Sequence, residues 1–144
     1  MKFADVTAQA GPAMQVPEPY RGAVIGDLFN DGHIDIVVTV LNGKARILRT
    51  VTSNDSNWVI FRLVGTKSNR MAIGAQLKVA TEDGNSQYDI VSTSAGFGAS
   101  RDPRAHFGLG KFKTVKQLEI RWPSGVRQVL KDLPVNQIHQ IVEP

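Results

Sequence analysis

The sequence predicts an all-β protein, and three observations carry that prediction. Apolar and polar residues alternate with period two from residue 34 onward, no segment sustains a helical period, and turn residues separate the alternating runs. At 144 residues and 42% hydrophobic, the chain can bury a core as one domain or two small ones.

The elements follow in chain order. "TAQAGPAMQVPEPYRG" holds three prolines and two glycines, which predicts an extended surface segment with little regular structure. Strands are predicted over Ile34 to Leu41 and Lys44 to Val51, joined at Asn42-Gly43, a pair that signals a type I′ hairpin turn. The polar run "TSNDSN" at 52 to 57 is the predicted boundary between two parts of the chain. Beyond it, Trp58 to Gly65, Ala75 to Thr81 and Gln87 to Thr93 read as strands, the last two separated by Asp83-Gly84-Asn85. In "TVKQLEIRW", Leu118, Ile120 and Trp122 face one way while Gln117, Glu119 and Arg121 face the other. "WPSGVRQVLK" then turns the chain, because Pro123 fixes φ, Gly125 accepts positive φ, and Val126, Gln128 and Leu130 resume the alternation. Residues 118 to 131 are therefore two antiparallel strands, and Gln137 to Val142 is the last one.

Charge and composition narrow the function. Cysteine is absent, which excludes disulfides, thiolate metal sites and cysteine nucleophiles. The net charge of +4 divides into −1 over residues 1 to 55 and +5 over 56 to 144. The basic residues of the second part are scattered along alternating strands, so they read as a solvated surface and no nucleic-acid partner is expected. No window reaches the length of an apolar membrane span, and "MKFADVTAQAGP" has no apolar stretch after its lysine, so neither a span nor an export signal is expected in the chain as given.

The most specific local pattern is "GDLFNDGHIDIVV", residues 26 to 38. Hard cations such as Ca²⁺ take oxygen ligands from a short loop in which carboxylates recur around a glycine. Asp27, Asp31, Gly32 and Asp35 fall at loop positions one, five, six and nine, and His33 at position seven would contribute its carbonyl. Position three, where Asp or Asn is usual, is Phe29. Two readings stand side by side: a weak calcium loop, or a turn whose aspartates accept backbone N–H bonds without a metal.

At this point a resemblance covers nearly the whole chain. "RGAVIGDLFNDGHIDIVVTVLNGKARILRT" resembles an FG-GAP/VCBS repeat, the calcium-loop blade unit of β-propellers. "NWVIFRLVGTKSNRMAIGAQLKV" through "AGFGAS", "HFGLG", "LEIRWPSG" and "NQIHQIVEP" is similar to the ASPIC/UnbV domain, which lies C-terminal to such repeats in the cartilage acidic protein family and its bacterial relatives. The resemblance implies one propeller-blade-like repeat with an extended N-terminal segment over residues 1–55, packed on a β-sandwich-like ASPIC/UnbV domain over 56–144. It implies Asp27, Asp31, His33 and Asp35 as metal ligands, Ca²⁺ as the ion, an extracellular or periplasmic parent protein with further repeats upstream, and no catalytic mechanism. Absent blades would leave an open strand edge, an invitation to self-association.

Other chemistry is weaker. The histidines at 33, 106 and 139 form no ligand pair, and His106 is expected to hydrogen-bond locally while Phe107 and Leu109 enter the core. Gly96, Gly98, Gly108 and Gly110 precede no helix and read as bulges or close approaches in strands. Serines 92, 94, 100 and 124 lack a local triad motif, so no enzyme is expected. The rival function is a carbohydrate- or matrix-binding module in which Trp58, Trp122, Phe97 and Tyr88 form a stacking platform, although each is better placed in the core. The "SNR" turn at 68 to 70 and the "SRDPR" loop at 100 to 104 are the cationic loops suited to an anionic partner. The expectation is thus a noncatalytic binding or assembly module whose protein or glycan partner the sequence does not name.

Overall fold

A computed structural model describes residues 2–51 and 55–144. The predicted boundary at 52 to 57 falls partly outside the described residues. Among the described residues the chain is all-β, with ten strands in three sheets and no α-helix. The first sheet has the order β1-β2-β3, from β1 (Tyr20–Gly26), β2 (Asp35–Val40) and β3 (Arg46–Leu48), all antiparallel. The second, in the order β10-β4-β7, joins β4 (Asn57–Val64) to β7 (Ala105–Gly110) antiparallel and to β10 (Gln137–Val142) parallel. The third runs β6-β5-β8-β9, from β5 (Gln76–Ala80), β6 (Ser86–Ile90), β8 (Thr114–Arg121) and β9 (Arg127–Pro134).

The last two sheets share one core. Val59, Phe61 and Leu63 of β4, Phe107 and Leu109 of β7, and Ile141 of β10 pack with Leu77 and Val79 of β5 and Leu118 and Ile120 of β8. Trp122 closes that core and donates its indole N–H to Gln128 Oε1 at 3.1 Å, so its one polar atom is satisfied. The alternation read in the sequence is therefore real at 118 to 122. The hairpin after it forms too, with Gly125 N–H donating to the Trp122 carbonyl at 2.9 Å.

Several expectations are corrected. β1 begins at Tyr20, within the segment expected to have little regular structure, and continues to Gly26 through residues given no strand, and two 3-10 turns, Thr7–Gln9 and Pro12–Gln15, precede it. The reason lies in the register: Val24 and Ile25 pair with Val37 and Ile36, so the strand is specified by its partner more than by its own sequence. Asn42 adopts positive φ but Gly43 does not, so the β2–β3 connection is a longer loop and not the two-residue type I′ turn. β7 went unassigned because glycines interrupt its pattern. Its register slips where Asn57 faces Gly110 while Trp58 faces Gly108, a bulge that agrees with the reading of those two glycines. Gly96 and Gly98 instead lie in a turn bounded by the Ser94–Ser100 bridge, and Phe97 between them is exposed, as is Tyr88.

β4 is buried on both faces from Val59 to Phe61, while Arg62 beyond them is exposed. Val59 and Phe61 point into the shared core, yet Ile60 between them is also only 1% exposed. Ile60 lines a small cavity with Asp27 and Ile34 of the β1–β2 connection and with Arg101 and Arg104.

Candidate functional site: the aspartate loop and its seat

Residues 27 to 34 connect β1 to β2, and their aspartates work on the backbone. Asp27, buried, accepts the N–H groups of Asp31 at 3.1 Å and Gly32 at 2.8 Å, one on each oxygen. Asp35, also buried, accepts from Leu28 at 3.4 Å and from Thr50 at 2.9 Å, which ties the loop to the chain leaving β3. Asp31 accepts from the His33 N–H at 3.0 Å and from the Arg49 guanidinium at 3.2 Å. The His33 backbone bond, with the Arg49 and His33 side chains, holds the Asp31 carboxyl below its ordinary range. Arg49 also lies 4.2 Å over the Phe29 ring, so the residue at the unusual loop position has a cationic neighbour.

The fit of these residues to calcium turns on the partners they already hold. Both oxygens of Asp27 and Asp35 already hold N–H groups, and a guanidinium stands against Asp31. Among the described residues, no three His, Cys, Asp or Glu side chains are gathered as a metal would require. In this arrangement the donor set is that of a hydrogen-bonded turn, with each of the Asp27 and Asp35 carboxylates accepting two N–H groups.

The loop is seated on β4 and β7. Gly32, at φ +85°, lies against the Trp58 indole so closely that a Cβ there would stand 2.0 Å from Nε1. His106 Nε2 contacts the Gly32 carbonyl at 3.0 Å, and its ring lies nearly parallel to that of Trp58. Local bonding was expected of His106, but its partner is 74 residues away. Arg104 completes the seat: it donates to Asn30 Oδ1 at 2.6 Å and to the Asp27 carbonyl at 3.0 Å while Asp102 holds its Nε. Of the four aromatics better placed in the core than on a platform, Trp122 is buried and Trp58 lies against the loop, but Phe97 and Tyr88 are exposed, contrary to that expectation.

A second acidic group, missed in the sequence, organises the opposite end of β10. Glu143 is 3% exposed, and its Oε2 accepts three consecutive backbone N–H groups, from Thr66 at 2.9 Å, Lys67 at 2.8 Å and Ser68 at 2.7 Å. Its Oε1 accepts the hydroxyls of Ser68 and Ser124. Burial pushes this carboxyl up, but the bonds from Ser124, Ser68 and Thr66 outweigh it and hold the pKa down at about 2. Gly65 permits the turn, since a Cβ there would meet the Asn69 carbonyl at 2.2 Å. Three of the quoted motifs, "SNR", "WPSG" and "IVEP", thus meet at one carboxylate.

The region from Gly65 to the last residue, 65–144, matches the ASPIC and UnbV family. The chain belongs to that family. The ASPIC and UnbV match takes in the Glu143 nest and the whole of the third sheet, and it begins where β4 ends. Over 137 residues, 92% of the chain, it is 26% identical to cartilage acidic protein 1 of Homo sapiens and of Mus musculus. Over 108 residues, 72% of the chain, it is 29% identical to cartilage acidic protein 1 of Xenopus tropicalis. The chain spans about a fifth of the length of these relatives, 20%, 21% and 16% respectively. Among the described residues, no helix is long and apolar enough to cross a membrane.

Proposed function

We propose that this ASPIC and UnbV family chain is a noncatalytic binding or assembly module that works outside the cytoplasm. An FG-GAP/VCBS-like repeat over residues 1–55 is clamped onto a β-sandwich-like domain over 56–144. The observation that carries the reading is the use made of the acids. Asp27, Asp35 and Glu143 are spent on backbone N–H groups, which leaves them as clamps for a strand entrance, a loop seat and a turn. The likeness to cartilage acidic protein 1 supports an extracellular setting.

Calcium is not required by this proposal. Asp27, Asp31, Asp35 and the His33 carbonyl would hold it only if Arg49 left Asp31.

The test is retention without turnover. The chain is immobilised and challenged with a panel of glycans and matrix proteins, and the bound molecules are eluted and compared with the input. Saturable retention of a ligand recovered unaltered supports the module; release of cleaved or modified product overturns it.

A further inference from the structure

The two cationic loops singled out in the sequence, at 68 to 70 and 100 to 104, meet in the fold. They form opposite walls of an open groove of about 560 Å³, whose floor is the outer face of the β4–β10 pair. Arg70 and Met71 line one wall, Asp102, Pro103 and Arg104 the other, and Arg62 and Gln140, direct register partners, lie between them.

The charges in this groove are not equivalent. Arg104 is committed to Asp102, Asn30 and the Asp27 carbonyl, so the one carboxylate of the groove is already neutralised. Arg101 of the same loop is turned away onto the Ser92 and Ile90 carbonyls. Arg62 and Arg70, both exposed, have no hydrogen-bond or ion-pair partner for their guanidinium groups among the described residues. Two forks, each able to hold a carboxylate or sulfate through two N–H bonds, therefore face one cavity already walled by a third.

The remaining lining narrows the ligand. Gln140 supplies a primary amide beside Arg62, suited to hydroxyl groups, and Met71 and Ile138 offer apolar surface for the C–H face of a sugar ring. We propose that this groove binds the anionic groups of an acidic polysaccharide, carboxylate or sulfate, with Arg62 and Arg70 as the recognition pair and Arg104 as the fixed wall. The inference rests on the binding-module reading and names its ligand class. It requires no exposed indole.

Calorimetric titration of the whole chain tests it with a galacturonate hexasaccharide, a heparin hexasaccharide, a neutral dextran hexasaccharide and hexaglutamate. The double variant Arg62→Gln/Arg70→Gln is compared with Lys111→Gln/Lys113→Gln, which removes the same charge from the turn after β7. Thermal melting verifies that both variants fold. Expected is binding of at least one acidic hexasaccharide, weakened about tenfold or more by the arginine pair and less than about twofold by the lysine pair, with the neutral sugar inert. Preference for galacturonate assigns a carboxylate ligand and preference for heparin a sulfate. Absence of binding to both acidic sugars, equal loss with the two variants, or hexaglutamate binding as tightly as either sugar overturns the proposal. Each of those results leaves retention without turnover on the wider panel intact, so failure here is distinct from failure of the module reading.

Discussion

Ser68 and Glu143 are joined twice, through the serine N–H to Oε2 at 2.7 Å and the serine hydroxyl to Oε1 at 2.9 Å. A buried carboxylate held in this way is a structural anion, and its charge is what the turn at 66 to 68 is built around. Glu143→Gln keeps the shape but replaces an acceptor-only oxygen with an amide whose N–H atoms face other donors. We expect a lower Tm, with a larger drop than for Lys116→Ala, which breaks only the exposed Lys116–Asp132 pair. Thermal melting of the two variants checks the order.

The same group sets an acid response. Its folded pKa of about 2 lies below the ordinary 4.5, so the unfolded chain takes up the proton more readily and protonation favours unfolding. The stabilisation is fully present above pH 4.5 and is lost as the pH falls from 4.5 towards about 2. Tm measured across that window should fall more steeply for the parent chain than for Glu143→Gln. Parallel slopes would remove Glu143 as the titrating group.

Gly32→Ala tests the seat of the aspartate loop. The added methyl enters the Trp58 indole, at 2.0 Å from Nε1, on a backbone of φ +85°, and strain of about 1–3 kcal/mol is expected. Denaturant unfolding reports the loss. A changed Trp58 emission in the folded state, with Trp122 still buried, would localise it.

Arg104→Lys removes the fork that reaches Asp102, Asn30 and the Asp27 carbonyl together. An ammonium cannot span three acceptors in that geometry, so the cost should approach that of Arg104→Ala, about 1–3 kcal/mol. Recovery of full stability with lysine would show that charge alone holds the loop.

Calcium should leave the melting temperature unchanged at millimolar concentration, because Arg49 is paired with Asp31 and Phe29 supplies no side-chain oxygen at its loop position. A site filled at ten times its Kd would add about 1.4 kcal/mol, a shift readily seen in a melt. Such a shift would restore the calcium assignment of Asp27, Asp31, His33 and Asp35.

Much of the fold was legible because one face of a strand was apolar. Leu118, Ile120 and Trp122 marked a half-buried strand, and Gln137 to Val142 coincides with β10 residue for residue. β1 and β7 were hidden because Gly22, Gly26, Gly108 and Gly110 dilute the alternation on which such a reading depends. The run Trp58-Val59-Ile60-Phe61 did carry a sign of burial on both faces, since alternation fails there. The aspartate loop was visible as a pattern, but its seat was not. Trp58, Arg104 and His106 reach it from distant sequence, and a side-chain contact of that kind leaves no local spacing. Glu143 was invisible for a related reason: its partners are mostly backbone N–H groups, which every residue but proline carries.

The parallel pairing of β10 with β4 constrains how the chain is made. β4 is made before β10, yet Trp58 finds Asn136 only across 78 residues, and Val59 to Val64 gain their neighbours on that side only with β10. Until then an apolar strand waits with one flank open, so that flank of the sheet closes only once β10 is available.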